Sequence, residues 1–275
     1  MKGSELRLIE YMEGSKKRFI IPVYQRNYDW KIENCKQLYD DLIQVIKNNS
    51  KTHFFGSIVS VYEPSGRNTE FLIIDGQQRL TTMSLLFLAL YNLLEEKIII
   101  SEDESLKDQI YEDFLVDKYQ PQEKRMKLKP IKNDQKAFSK LFNSKDDYIK
   151  DSNLTINYSY FYERIQKQEI TIDELFDAIC RLEIINITLN NEDNPQLIFE
   201  SLNSTGLDLS EGDKIRNYLK YKCNLSSRFC RSAALNKNIL VNGEVVKLSY
   251  ILKAGDKIEI NLKKEESQDI AAEKM

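Results

Sequence analysis

Apolar and polar residues recur along this chain with two different periods, and the changes of period mark its elements. Ile32, Cys35, Leu38, Leu42, Val45 and Ile46 follow the three- and four-residue spacing of a helix with one buried face. The richest apolar run, Leu80 to Leu94, predicts a strong helix from about Thr81 to Glu96. Between them, Phe54 to Tyr62 and Glu70 to Ile74 are rich in β-branched and aromatic residues and predict two strands. The turn formers at 64–68 (PSGRN) join these into a hairpin. Upstream, residues 5–13 predict a short helix and Phe19 to Val23 an extended segment. Downstream, the charged stretch 103–182 predicts helices over 104–116, 133–143, 157–168 and 172–181, with a short strand at Met126 to Pro130. Glu183 to Leu189 follows as a strand. Pro195 opens a helix through Leu202, and Ser210 caps another through Tyr221.

The pattern shifts near Asn224. Ile239 to Val241, Asn242-Gly243 and Val245-Val246 form a hairpin signal, because Asn-Gly suits the tight turn between apolar runs. A second turn at Ala254-Gly255-Asp256 precedes alternation from Lys257 to Leu262. The chain therefore predicts an α+β fold. Its parts are an α/β core over 1–223 with a helical insertion at about 103–182, a small β-rich unit over 224–264, and a flexible polar tail over 265–275.

Composition narrows the function classes. An apolar content of 41% and a charged content of 30% are those of a soluble globular protein. The formal net charge of -3 gives no global field that draws in nucleic acid, so any such surface is local. Cys35, Cys180, Cys223 and Cys230 show no CxxC spacing, and His53 is the one histidine. That set argues against a zinc cluster and an HNH centre, and it predicts reduced thiols in a cytoplasmic protein. The first residues lack the apolar stretch of a signal peptide. Leu80 to Leu94 is too short and too polar to span a bilayer, so no membrane partner is expected. Neither GxxxxGK[ST] nor GxGxxG occurs.

Three blocks carry candidate chemistry. Asp75-Gly76-Gln77-Gln78-Arg79 stands where a strand passes through a glycine turn into a helix. Such a turn points free N–H groups and a positive dipole end at an anion. Arg79 can grip phosphate oxygens with two donors, Asp75 can hold a metal ion or orient water, and Gln77 and Gln78 can bind phosphate or place a water. The same block also suits a buried turn in which Asp75 caps the helix and Arg79 pairs with a carboxylate. Tyr24-Gln25-Arg26-Asn27-Tyr28-Asp29-Trp30 sets aromatics around one arginine, which suits stacking on a base or packing at the head of a helix. Glu200, Asn203, Ser204 and Gly206 cluster at a helix end, followed by Asp213, Arg216 and Asn217. They suit a nucleotide with a magnesium ion, or a helix C-cap with a surface ion pair.

Four blocks in order resemble the N-terminal domain of GmrSD-type restriction systems, within the ParB and sulfiredoxin-like superfamily. They are Ile21 to Trp30, Phe55 to Val59, Ile73 to Thr82 and Ile198 to Tyr218. The resemblance covers about 5–222. It implies a ParB-like α/β core that binds and hydrolyses a nucleoside triphosphate, GTP or another, with Mg2+. Hydrolysis is coupled to restriction of modified DNA in anti-phage defence.

Carried over by motif, Asp75, Gln78 and Arg79 would be catalytic. Tyr24, Gln25, Arg26, Gly76, Gln77, Asn203, Ser204 and Arg216 would bind nucleotide, and Asp75 and Glu200 would hold the metal. Many members carry histidine where Gln78 stands, so a histidine nuclease is not expected here. Cutting would need a separate HNH-type nuclease subunit, and self-association is open.

Residues 226–262 resemble the end of a small RNA-binding module of pseudouridine synthases. There Arg228, Arg231, Lys237, Lys247 and Lys253 would contact nucleic acid, although a capping β-unit with a solvated basic face fits the same residues. Two other readings stay open: a non-enzymatic module that binds modified DNA, and a degenerate remnant with an RNA-binding tail.

Overall fold

A computed structural model gives the fold. It describes residues 2–23, 25–65, 68–189, 237–247, 250 and 257–260. The chain divides into two compact units, Met1–Phe199 and Glu200–Met275. The predicted domain boundary at 224, the helices from Pro195 to Tyr221 and the tail from 265 lie outside the described residues.

The first unit is α+β, as the two periods predict. Its strands are β1 (Lys2–Arg7), β2 (Lys17–Ile20), β3 (His53–Ser65), β4 (Asn68–Asp75), β5 (Leu128–Lys129) and β6 (Leu182–Leu189). They form one mixed sheet in the order β1-β6-β3-β4-β2-β5. β3 runs antiparallel to β4 and parallel to β6, while β2 runs parallel to both β4 and β5. The helices are α1 (Leu8–Met12), α2 (Ile32–Lys47), α3 (Gln77–Glu95), α4 (Leu106–Gln109), α5 (Lys132–Lys140), α6 (Asn153–Gln166) and α7 (Ile172–Cys180).

α3 is the axis of the core. Leu80, Met83, Leu86, Phe87 and Leu90 are all fully buried. A helix this apolar on every side is stable only when enclosed, and its neighbours include α6 and the segment after α4. Inside, Phe87 stacks on Phe114 at 4.4 Å, and the Asn92 amide donates to the Tyr158 hydroxyl at 2.7 Å. α2 is amphipathic and buries Cys35, Leu38, Tyr39, Leu42, Ile43 and Val45.

Several boundaries differ from the sequence expectation. The helix expected over 5–13 is β1 followed by α1, because Lys2 to Arg7 pair with Thr188 to Glu183 of β6 and that pairing overrides local propensity. Ile32 does not join the buried face of α2; it sits in the first turn and is 41% exposed. The hairpin turn is tighter than 64–68, since Pro64 still pairs with Thr69 and Ser65 with Asn68. α3 starts four residues earlier than expected, at Gln77. The helix expected over 104–116 is α4 followed by one wide π turn, Ile110–Leu115. That wide turn carries Phe114 onto Phe87, and its Asp113 carbonyl accepts from the buried Lys127 ammonium.

The second unit holds a small antiparallel sheet, β8-β7-β9, made of β7 (Ile239–Val241), β8 (Glu244–Val245) and β9 (Ile258–Ile260). Asn242 (φ 52°) and Gly243 (φ 85°) make the turn that Asn-Gly predicts. The Asn242 side chain also accepts from the Lys257 N–H at 2.9 Å, tying the turn to the start of β9.

Candidate functional site

The Asp75–Arg79 block occupies the position its sequence suggests. β4 ends at Asp75, Gly76 turns the chain at φ 88°, and α3 begins at Gln77. A Cβ on Gly76 would lie 2.9 Å from the Ser57 carbonyl oxygen, so the turn closes against β3 only because that position is glycine. No side chain caps α3 and its first turn has no acid. Asp75 does not cap the helix, and the first-turn N–H groups mark the positive end of its dipole.

Arg79 leans the other way, over β3. Its guanidinium covers Gly56 (φ +124°), where an added Cβ would stand 2.7 Å from Nε, and Nη1 donates to the Ser57 carbonyl at 3.4 Å. Gly56 is a residue of the site that the sequence did not single out by role. Its signal was present, a glycine inside an otherwise β-rich run, but the partner lies more than twenty residues away.

The two glutamines of the aromatic loop and the turn are spent on backbone. The Gln78 Oε1 accepts from the N–H of Asp29 at 2.9 Å and of Trp30 at 3.3 Å, and its Nε2 donates to the Asn27 carbonyl at 3.0 Å. Gln25 is buried, and its Nε2 donates to the carbonyls of Ile74 at 2.7 Å and Ile73 at 3.4 Å. Gln25 thus gives both of its amide hydrogens, and Gln78 both acceptor sites of its oxygen, to backbone groups. In this arrangement both amides hold the loop in place. Tyr24 lies outside the described residues.

Tyr28 is the hub of the same loop. Its N–H donates to Asp134 of α5 at 2.7 Å, and its carbonyl accepts from Asn153 of α6 at 3.2 Å. Its hydroxyl bonds Thr82 of α3 at 2.7 Å and Asn157 of α6 at 3.0 Å. Asn157 also donates to the Trp30 carbonyl at 2.8 Å. Burial raises the Asp134 carboxyl above the usual carboxylate range, with the Tyr28 N–H opposing. Nothing in the local pattern of α5 or α6 marks these partners, since they sit on helices that pair with the loop only in three dimensions.

Between the loop, α3 and α5 lies a narrow cleft with a cavity volume of about 10 Å³, lined by Ile21, Arg26, Tyr28, Gln77, Gln78, Thr81, Pro130 and Asp134. Arg26 is exposed at its rim. Gln77 is 6% exposed and its Oε1 has no hydrogen-bond partner, an uncompensated acceptor at the wall of the cleft. Arg79 is not among the lining residues. The structure thus brings Arg26 and Gln77 together and sets Arg79 on the β3 side of the same turn. Among the described residues neither arginine, nor Asp75, has an ion-pair partner.

A comparison with family models matches residues 8–220 to the GmrSD restriction endonuclease, N-terminal domain. The chain belongs to this family. Membership of the GmrSD N-terminal domain family gives the coarse function, a component of a restriction system against modified DNA. A search of curated proteins returned no match.

The GmrSD match spans the block from Ile198 to Tyr218, but Glu200, Asn203, Ser204 and Arg216 lie outside the described residues. So do Arg228, Arg231 and Lys253. Lys237 and Lys247 are exposed, flanking the hairpin of the second unit. Among the described residues of this GmrSD domain no group of three His, Cys, Asp or Glu side chains could hold a metal ion, and no helix is long and apolar enough to cross a membrane. His53 opens β3, with Nε2 3.8 Å from Asp41. Cys35 and Cys180 are free thiols.

Proposed function

We propose that this domain binds a nucleoside triphosphate at the Gly76 turn and hydrolyses it, as the sensor of a restriction system that works with a separate HNH-type nuclease. One observation carries the reading. The N-terminus of the nineteen-residue α3 has no side-chain cap, and Asp75 before it, Arg79 in its first turn and Arg26 at the adjoining cleft have no ion-pair partner among the described residues. Backbone N–H groups and a dipole end suit phosphate oxygens, and Gly76 lets them approach closely.

Arg79 would hold phosphate from the β3 side and Arg26 from the cleft side, each stabilising charge that builds as the phosphoryl group departs. A magnesium ion would neutralise further phosphate charge; Asp75 fits it, since one carboxylate plus phosphate oxygens is an ordinary set for that ion. The unpaired Gln77 Oε1 would accept from a donor group of the bound molecule. Gln78 and Gln25 are positioning residues, and they tie the aromatic loop to the first turn of α3. A contact made on that loop therefore reaches the phosphate turn through the Gln78 amide.

The test is phosphate release from GTP and the other nucleoside triphosphates with magnesium. Wild type turns over and Arg79→Ala does not. Full activity in Arg79→Ala would remove the turn from the mechanism. Tight binding of modified duplex by a wild type that hydrolyses nothing would make the domain a binding module instead.

A further inference from the structure

The net charge of the chain is negative, yet between Lys124 and Lys140 the basic residues Lys124, Arg125, Lys127, Lys129, Lys132, Lys136 and Lys140 face a single acid, Asp134. Lys127 is buried and used internally. Lys132, Lys136 and Lys140 recur every four residues on α5 and so share one face, rising about 6 Å per step. Asp134 lies on another face, turned into the cleft and bound to the Tyr28 N–H. Lys129 precedes the helix on β5.

These lysines are uncommitted. Lys36, Lys107, Lys118 and Lys145, on other helices and loops, each pair with a nearby carboxylate. Among the described residues Lys129, Lys132, Lys136 and Lys140 have no such partner. Lys132 is also the first residue of α5, the end where a cation opposes the helix dipole. The arrangement does nothing for the stability of α5, and it leaves a row of ammonium groups for an external polyanion.

We propose that the α5 strip, Lys132, Lys136 and Lys140, is where the domain meets the phosphate backbone of duplex DNA. Membership of a family that restricts modified DNA selects duplex DNA as the polyanion. The inference rests on the sensor reading above and assigns that reading its DNA surface, on the first unit rather than on the basic residues of the C-terminal one.

Fluorescence anisotropy of a labelled duplex against the full-length protein, with salt varied and no nucleotide present, tests it. Lys132→Gln/Lys136→Gln/Lys140→Gln should weaken binding about tenfold or more near 0.15 M salt and flatten the log–log salt slope by about 2 to 3, roughly 0.9 per lysine. The matching triple Lys→Arg variant should keep both affinity and slope, which separates charge from folding. Lys237→Gln/Lys247→Gln should bind as wild type does. An unchanged slope in the triple Gln variant, loss confined to the Lys237/Lys247 variant, or tighter binding of single-stranded RNA through the same lysines would each overturn the proposal. Since nucleotide is absent, a wild type that fails to hydrolyse GTP leaves this outcome untouched.

Discussion

At the N-terminal end of β2 the chain is held by charge. The buried Asp117 carboxylate accepts from the N–H of Lys16 at 2.6 Å and of Tyr119 at 3.0 Å, and the buried Lys127 ammonium donates to the carbonyls of Gly14 at 2.6 Å and of Asp113. At the C-terminal end of β2 the aromatic loop is held mainly by neutral amides: Gln25, Gln78, Asn153 and Asn157. There the arginines and Asp75 stay uncommitted. On that side the one carboxylate anchor is Asp134, on the Tyr28 N–H, and the remaining anchors carry no net charge. The opposite end consumes its charges internally.

The largest expected effect breaks the amide side. Gln78→Leu removes the acceptor of Asp29 and Trp30 and the donor to Asn27 without opening room for water. Chemical denaturation should show a loss of roughly 3 kcal/mol, and nucleotide turnover should fall with it. A loss below about 1 kcal/mol would mean that the loop is held by packing instead.

Next comes the charged end. Lys127→Met leaves the carbonyls of Gly14 and Asp113 without their donor, at a cost of about 2 kcal/mol. Its pH profile is the sharper readout. Burial pulls the Lys127 ammonium down from 10.5 to about 8 in the folded chain. Between those values the unfolded chain holds the extra proton, so wild-type stability gains a contribution as pH rises from about 8 to 10.5. The cost of Lys127→Met should therefore grow across that window, whereas the cost of Gln78→Leu should stay level. Parallel profiles for the two variants would erase the contrast between the ends.

A smaller effect is expected at the hub. Tyr28→Phe loses the bonds to Thr82 and Asn157 and should cost about 1–2 kcal/mol in a thermal melt. The smallest concerns the free charge. Arg26→Ala should change stability by less than about 0.5 kcal/mol while weakening nucleotide binding measured by calorimetry. A clear loss of stability would show that Arg26 has a structural partner after all.

Much of this was legible beforehand because it is local. The amphipathic period of α2, the strand–glycine–helix turn at Gly76 and the Asn-Gly hairpin of the second unit each follow from a few neighbouring residues. Their conformations are fixed by sterics and burial that operate within one element. The start of β1 was misread because its helix-compatible residues answer to a partner strand far along the chain.

The sequence by itself determined the α+β class, the family and the strand–glycine–helix turn at Gly76. Tertiary structure alone decided which polar side chains are free. Gln77 and Gln78 are adjacent and chemically identical, yet one points an unpaired oxygen at the cleft and the other is consumed by three backbone groups of a distant loop. Hydrogen-bond commitment depends on what packs against a residue, and no one-dimensional pattern encodes that.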